Sequence, residues 1–187
     1  VPTTRNYTHR FANFHKNAYL GSELGNNART MRASIDEFCI YNRPLTTTEI
    51  RTQMRLTKLN KNYPMSSTDS AFIAYYQFNE SKFTGTKIFD QVTKKQGTLD
   101  VNTTRLKSTA PLGGGRSTTH TVNSIGLYSN NSTRMNLQFP GPTLPMGEIV
   151  VTQLNILPDT LPNCSNYTSD NKYWIVDNYG INSTFSS

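Results

Sequence analysis

The chain has 187 residues, enough for one full domain or parts of two, and a formal net charge of +7. Hydrophobic residues make up 35% and charged residues 17%, but ten Tyr and nine Phe offset the low aliphatic content. That balance excludes outright disorder and points to a β-rich chain with a polar surface. The longest apolar run, Ala71–Tyr76, has strand length and falls far short of the roughly 20 residues of a membrane helix, so no membrane insertion is expected. Lys and Arg are scattered, densest at Arg51, Arg55, Lys58 and Lys61. A nucleic-acid partner needs a basic stripe with stacking aromatics or a known module, and neither is visible. The basic group is read as a solvated helix face, with weak attraction to acidic polysaccharide or acidic subunits as the minority reading. Val1 is not Met, no signal-peptide pattern follows it, and Ile181–Ser187 carries no terminal device, so a mature or internal piece of a longer protein is expected.

Residues 1–17 are polar, and His9 and His15, six apart, form no metal pattern. Ala18-Tyr-Leu-Gly-Ser22 reads as a strand and Asn26-Asn-Ala-Arg29 as a loop. Ile35, Phe38, Ile40 and Tyr41 are β-branched or aromatic, which suits a half-buried strand. Asn42-Arg-Pro44 ends it, because Pro44 has no amide hydrogen and holds Arg43 extended. Thr46 and Glu49 have capping-box spacing. Ile50 and Met54 share a face, and Arg51 and Arg55 share the next one. The pattern predicts a helix from about Thr47 to about Lys58. The run from Ser34 to Leu45, followed by Thr46-Thr-Thr-Glu-Ile50, resembles the closing strand and short helix of laminin-G-like, concanavalin-type jelly rolls. Ala18–Ser22 resembles the strand that precedes it.

Residues 59–70 are rich in turn formers and read as a linker. Phe72-Ile-Ala-Tyr-Tyr-Gln-Phe-Asn-Glu80 is a strong strand that resembles the opening strand of the same family. Ile88-Phe-Asp-Gln91 and Gly97-Thr-Leu99 continue that resemblance, but Thr93-Lys-Lys-Gln96 replaces the usual Ser-Gly-Asn-rich turn. Closing elements thus precede opening-type ones. Either the tail of one jelly roll joins the head of another, or the second segment trails and packs beside the closing strand; the second is preferred.

Ser108–Gly115 ends in three glycines and reads as a hinge-like linker. Short strands follow at Thr118–Leu127, Arg134–Phe139, Glu148–Asn155 and Tyr173–Tyr179, separated by Pro/Gly turns. Glu148–Asn155 is the expected core strand. Lys172–Gly180 resembles a strand of C-terminal β-domains in large secreted adhesive proteins. Trp174 is read as core, with a sugar-stacking platform as the alternative. The expected fold is all-β: jelly-roll or β-sandwich fragments with one short helix, joined by Gly/Pro/Ser-rich linkers. Its expected divisions are 1–60, 61–110 and 111–187.

Cys39 and Cys164 are too far apart for a metal finger. In a secreted protein they are disulfide candidates, with each other or with cysteines elsewhere. Asn-x-Ser/Thr sequons stand at Asn6, Asn79, Asn102, Asn130, Asn131, Asn163, Asn166 and Asn182, less than a twofold excess over chance for this composition. Occupied sites must face water. The paired-carboxylate spacing of concanavalin-type glucanases is missing. Asp36 and Glu37 are adjacent, point to opposite faces of a strand and cannot flank one glycosidic bond. No nucleophile elbow or phosphate loop is visible, so no enzyme activity is expected. The resemblance implies calcium as the one cofactor worth naming, with Asn79 and Asp90 as weak candidate ligands. The expected role is a secreted, non-enzymatic structural or adhesive module that associates with subunits of the same or a similar kind. A carbohydrate-binding, lectin-like module with a polysaccharide partner is the alternative.

Overall fold

The computed structural model describes residues 17–23, 26–58, 72–81, 85–157 and 171–184. They belong to two compact units, Val1–Ile35 and Asp36–Ser187. In the first unit, β1 (Ser22–Glu23) pairs antiparallel with β2 (Asn26–Thr30). The stretch expected to be a loop, Asn26–Arg29, is therefore a strand, closed by the Met31 N–H donating to the Gly21 carbonyl at 2.8 Å.

The described residues of the second unit are all-β apart from one short helix. It contains β3 (Phe38–Tyr41), α1 (Thr47–Gln53), β4 (Phe72–Tyr76), β5 (Lys87–Phe89), β6 (Gln96–Thr98), β7 (Gly115–Val122), β8 (Gly126–Asn130), β9 (Met135–Phe139), β10 (Gly147–Leu154) and β11 (Tyr173–Asn178). A three-stranded antiparallel sheet, ordered β11-β10-β7, lies at its centre. The sequence of β10 explains its place. Ile149-Val-Val151 is apolar without alternation, the pattern of a strand covered on both faces, and Ile149 through Leu154 are all buried.

Ile149 and Val151 point to one face and pack with Val122, Phe139 and Leu144, beneath Tyr128, Met135 and Leu137 of the β8–β9 hairpin. Leu154 points to the other face and packs with Leu56, ringed by Tyr41, Leu45, Ile156, Tyr173 and Ile175. The expected core strand is thus the centre of the unit. The strand expected over Thr118–Leu127 is two strands, broken at Asn123–Ile125 so that β8 folds back over the sheet.

The predicted capping box starts α1. The Thr46 hydroxyl accepts the Glu49 N–H at 3.2 Å, and the Glu49 carboxylate accepts the Thr46 N–H at 2.7 Å. The helix ends at Gln53, about a turn before the expected Lys58. Leu56, 1% exposed, leaves the helical path to bridge Gly113, with Gly113 N–H donating to Arg55 O at 3.2 Å and Thr57 N–H to Gly113 O at 3.0 Å. Burial of one leucine and two sheet-type hydrogen bonds outweigh another helical turn.

β4 pairs antiparallel with β3, Phe38 opposite Tyr76 and Cys39 opposite Tyr75. The opening-type strand thus lies beside the closing-type strand. β5 and β6 form a separate hairpin. The expected divisions near residues 60 and 110 both fall inside the second unit. The glycines at its supposed hinge are packing devices. A Cβ on Gly115 would stand 2.0 Å from the Gln153 carbonyl oxygen, and one on Gly113 would stand 3.0 Å from Ile156. Gly115 is where β7 enters the sheet, and there only glycine lets the backbones approach so closely. Gly115→Ala is expected to destabilise the protein by about 3 kcal/mol in urea unfolding, with the slope unchanged. A flexible joint at this place would tolerate it without loss.

Candidate functional site

The basic face of α1 does not meet solvent as expected. Arg51 Nη1 donates to Glu148 Oε1 at 3.0 Å, and Thr48 Oγ1 donates to Glu148 Oε2 at 2.7 Å. Arg55 grips Asp177 with two bonds, Nε to Oδ2 at 2.8 Å and Nη2 to Oδ1 at 2.7 Å. Such forked pairs fix geometry as well as charge. The Arg51 guanidinium also lies 4.2 Å from the centroid of the Tyr179 ring. Lys58, 6% exposed, turns its ammonium inward to the Gln53 and Leu56 carbonyls at 2.8 and 2.7 Å. Lys61 lies outside the described residues. Three cations of the supposed solvated face therefore fasten α1 and the chain after it to the sheet.

Beside Lys58 lies a second polar group. Glu37 sits at φ 51° just before β3, a backbone state uncommon for residues other than glycine. This turns its carboxylate inward, where it accepts the hydroxyl of fully buried Tyr75. The Tyr75 oxygen in turn accepts the Gln77 Nε2 at 3.0 Å and the Lys58 N–H at 3.2 Å. Burial raises the Glu37 pKa, and the Tyr75 bond and the Lys58 charge only partly oppose it. Burial likewise lowers the Lys58 pKa and raises those of Tyr75 and Cys39. Asp36 keeps to itself, its Oδ1 accepting the Glu37 N–H at 2.9 Å. The expectation that the pair lies on opposite faces of a strand is corrected: both residues precede β3, Glu37 is in a left-handed turn, and both line one cleft.

Asp90 is an anchor for a turn. Its Oδ1 accepts the N–H groups of Tyr75 at 2.8 Å and Val92 at 3.0 Å. Its Oδ2 accepts the N–H of Thr93 at 3.0 Å and the Thr93 hydroxyl. Burial would raise its pKa, but these four bonds win and lower it. With both oxygens engaged, buried Asp90 has no lone pair directed at a cation, and Asn79 is exposed and lines a cleft that Asp90 does not line. The pair does not fit calcium. Among the described residues, no three His, Cys, Asp or Glu side chains gather as a metal site.

A cleft of about 310 Å³ is lined by Asp36, Glu37, Asn79, Lys107, Ile156 and Tyr173, among others. Elsewhere, the outer side of β11 is bare: among the described residues no strand pairs with it. Tyr179 donates its N–H to the Glu148 carbonyl at 2.8 Å, in register with Ile149 opposite Asn178. By antiparallel alternation Tyr173, Ile175 and Asp177 bond to β10, while Trp174, Val176 and Asn178 aim their backbone groups outward. Trp174 is 41% exposed and Val176 40% exposed. The expectation that Trp174 is core is thus corrected. Its ring lies over the β8–β9 turn, with Nε1 donating to the Thr133 carbonyl at 2.7 Å.

Asn79, Asn102 and Asn131 are exposed. Asn130 is 1% exposed, and its Oδ1 accepts His120 Nε2 at 2.7 Å. Asn182 is half-buried and spends its Nδ2 on the Leu144 carbonyl at 2.7 Å. Neither amide nitrogen is placed to carry a glycan in this fold, which removes Asn130 and Asn182 from the candidates. Asn6, Asn163, Asn166 and Cys164 lie outside the described residues, as do His9 and His15. Cys39 has a free thiol, which donates to the Glu37 carbonyl at 3.3 Å. No protein-family model, curated protein or solved structure matches the chain.

The inward turn of Glu37 has a consequence for pH. A carboxyl whose folded pKa lies above its ordinary value of 4.5 contributes stability that is complete below that value and is lost as pH rises through the folded one. Glu37→Gln retains an acceptor for Tyr75 and removes the titration. Urea midpoints measured from pH 4 upward should fall in the parent across this window and stay flatter in Glu37→Gln. Parallel profiles would contradict the burial argument.

Proposed function

We propose that the chain is a non-enzymatic structural and adhesive module of a large secreted glycoprotein, laminin-G-like in its closing and opening motifs. In this reading it associates with subunits of the same or a similar kind, within or upon an extracellular fibre, sheath or surface coat. The observation that carries the reading is the outer edge of β11, which no strand among the described residues covers, with Trp174 and Val176 exposed beside it. An edge of unpaired backbone groups flanked by large apolar side chains is a template for another chain, and monomeric proteins protect such edges. The adhesive role also suits a surface on which Arg51, Arg55 and Lys58 are consumed internally and therefore do not form a basic stripe for nucleic acid.

The alternative, a carbohydrate-binding module, is favoured by the cleft, where Asp36, Asn79 and Lys107 surround one aromatic, Tyr173. Polar groups of both kinds beside an aromatic face suit a polyhydroxylated ligand. Titration with a panel of mono- and oligosaccharides separates the two: saturable sugar binding by a chain that stays monomeric would overturn the assembly reading.

The secreted origin has its own test in peptide mass mapping of the protein purified from its source. Hexose-rich mass is expected on Asn79, Asn102 and Asn131, and none on Asn130. Bare asparagines at all three exposed sequons would contradict a eukaryotic secreted glycoprotein.

A further inference from the structure

We propose that β11 is self-complementary, and that two copies of this chain join along it, antiparallel about Ile175, to extend the three-stranded sheet to six. This rests on the assembly reading above and names its surface and partner.

The argument starts from alternation. Trp174, Val176 and Asn178 turn their N–H and C=O groups away from β10. Two such edges meeting about a two-fold axis at Ile175 place Trp174 of each copy opposite Val176 of the other. Both members of these pairs carry outward backbone groups, so each pair closes two hydrogen bonds, and Asn178 meets Lys172 in the same way one step further out. The side chains agree with the backbone. Trp174 and Val176 lie on the same sheet face, two residues apart, and are the exposed apolar residues of the strand. In this register each indole covers the partner's valine, an aromatic–β-branched cross-strand pair, which is among the favourable kinds.

The charges raise no obstacle. Asp177 falls opposite Tyr173 and Lys172 opposite Asn178, so no like charges face each other. Asp177 is already neutralised by Arg55. A slip of one residue breaks this agreement, because it sets outward-facing backbone groups against inward-facing ones. The other outer strand, β7, offers no equivalent. Its outward residues, between those bonded to β10, are Gly115, Ser117, Thr119 and Thr121, with no exposed aromatic or aliphatic side chain among them. A two-fold contact of one strand with itself closes at two copies.

Sedimentation velocity of the 187-residue chain over a concentration series tests this, alongside Val176→Pro and Val176→Glu. Proline at 176 deletes an N–H that the fold does not use, a place where edge strands accept it. Glutamate keeps the N–H and sets a charge against the partner's indole. The expected result is a parent dimer, a Val176→Pro chain that is monomeric with unchanged circular dichroism, and a Val176→Glu chain whose dimer is at least tenfold weaker. If the proline variant fails to fold, the glutamate variant decides. Dimers of parental affinity in the folded variants would overturn the β11 contact and leave the assembly reading standing. A parent that stays monomeric at every concentration would overturn both. Open-ended polymers of the parent would overturn the two-fold geometry alone.

Discussion

Everything in the second unit depends on one strand being dry on both faces. β10 contributes Ile149 and Val151 to one cluster and Leu154 to the other, and all three are fully buried, as is Val150. Burying four such side chains is worth on the order of 6–12 kcal/mol, which is the scale of a whole domain's net stability. The strand can collect that energy only if something covers each face. The β8–β9 hairpin covers one, and the segment after α1 covers the other. The polar positions of β10 follow suit: Thr152 is buried and its hydroxyl meets that of Ser117 at 3.1 Å. The close approach at Gly115 is part of the same constraint, because β7 must lie tight against the end of β10 for Leu154 and Leu56 to meet.

The second organising feature is where the positive charge goes. A net charge of +7 on 187 residues invites a search for an anionic partner. The structure uses several of these cations internally. Arg51 ties the helix to the middle strand, Arg55 ties the chain just after it to the outer strand, and Lys58 donates to two carbonyls. Arg105 behaves alike, donating to the carbonyls of Ser81, Gly85 and Lys87. Exposed ion pairs are worth little, but Arg55 and Asp177 are each only about a fifth exposed and meet through two parallel bonds, which places them above the usual surface pair.

What the sequence made legible divides by range. The capping box at Thr46 and Glu49 and the core character of Glu148–Asn155 are local signals that the structure matches, whereas the strand expected over Phe72–Glu80 stops at Tyr76, ahead of Phe78 at φ 56°. The errors come from partners distant in sequence. Arg51 and Arg55 find theirs 97 and 122 residues away, so no spacing rule reveals that a basic helix face is a docking face. The end of α1 is set by Leu56 leaving for Gly113. The glycines 113–115 look like a hinge because composition cannot distinguish freedom from close approach. Asn130 and Asn131 are equivalent as sequons, and only the fold turns the last residue of β8 toward His120 and leaves Asn131, in the turn that follows, in water. Trp174 departs from its expected core place for a related reason: an aromatic in a strand signals burial, and an edge position reverses it.

The same strand order that makes β10 the centre leaves β11 with one side unpaired among the described residues, and it is that side to which the proposed assembly is assigned. Residue-resolved amide hydrogen exchange at low protein concentration tests this most directly. The account predicts that Val150, Val151 and Thr152 exchange only through global unfolding. Along β11 it predicts slow exchange at Ile175 and Asp177 and fast exchange at Trp174 and Val176. Uniform protection along β11 in dilute protein, or fast exchange at Val151, would contradict it.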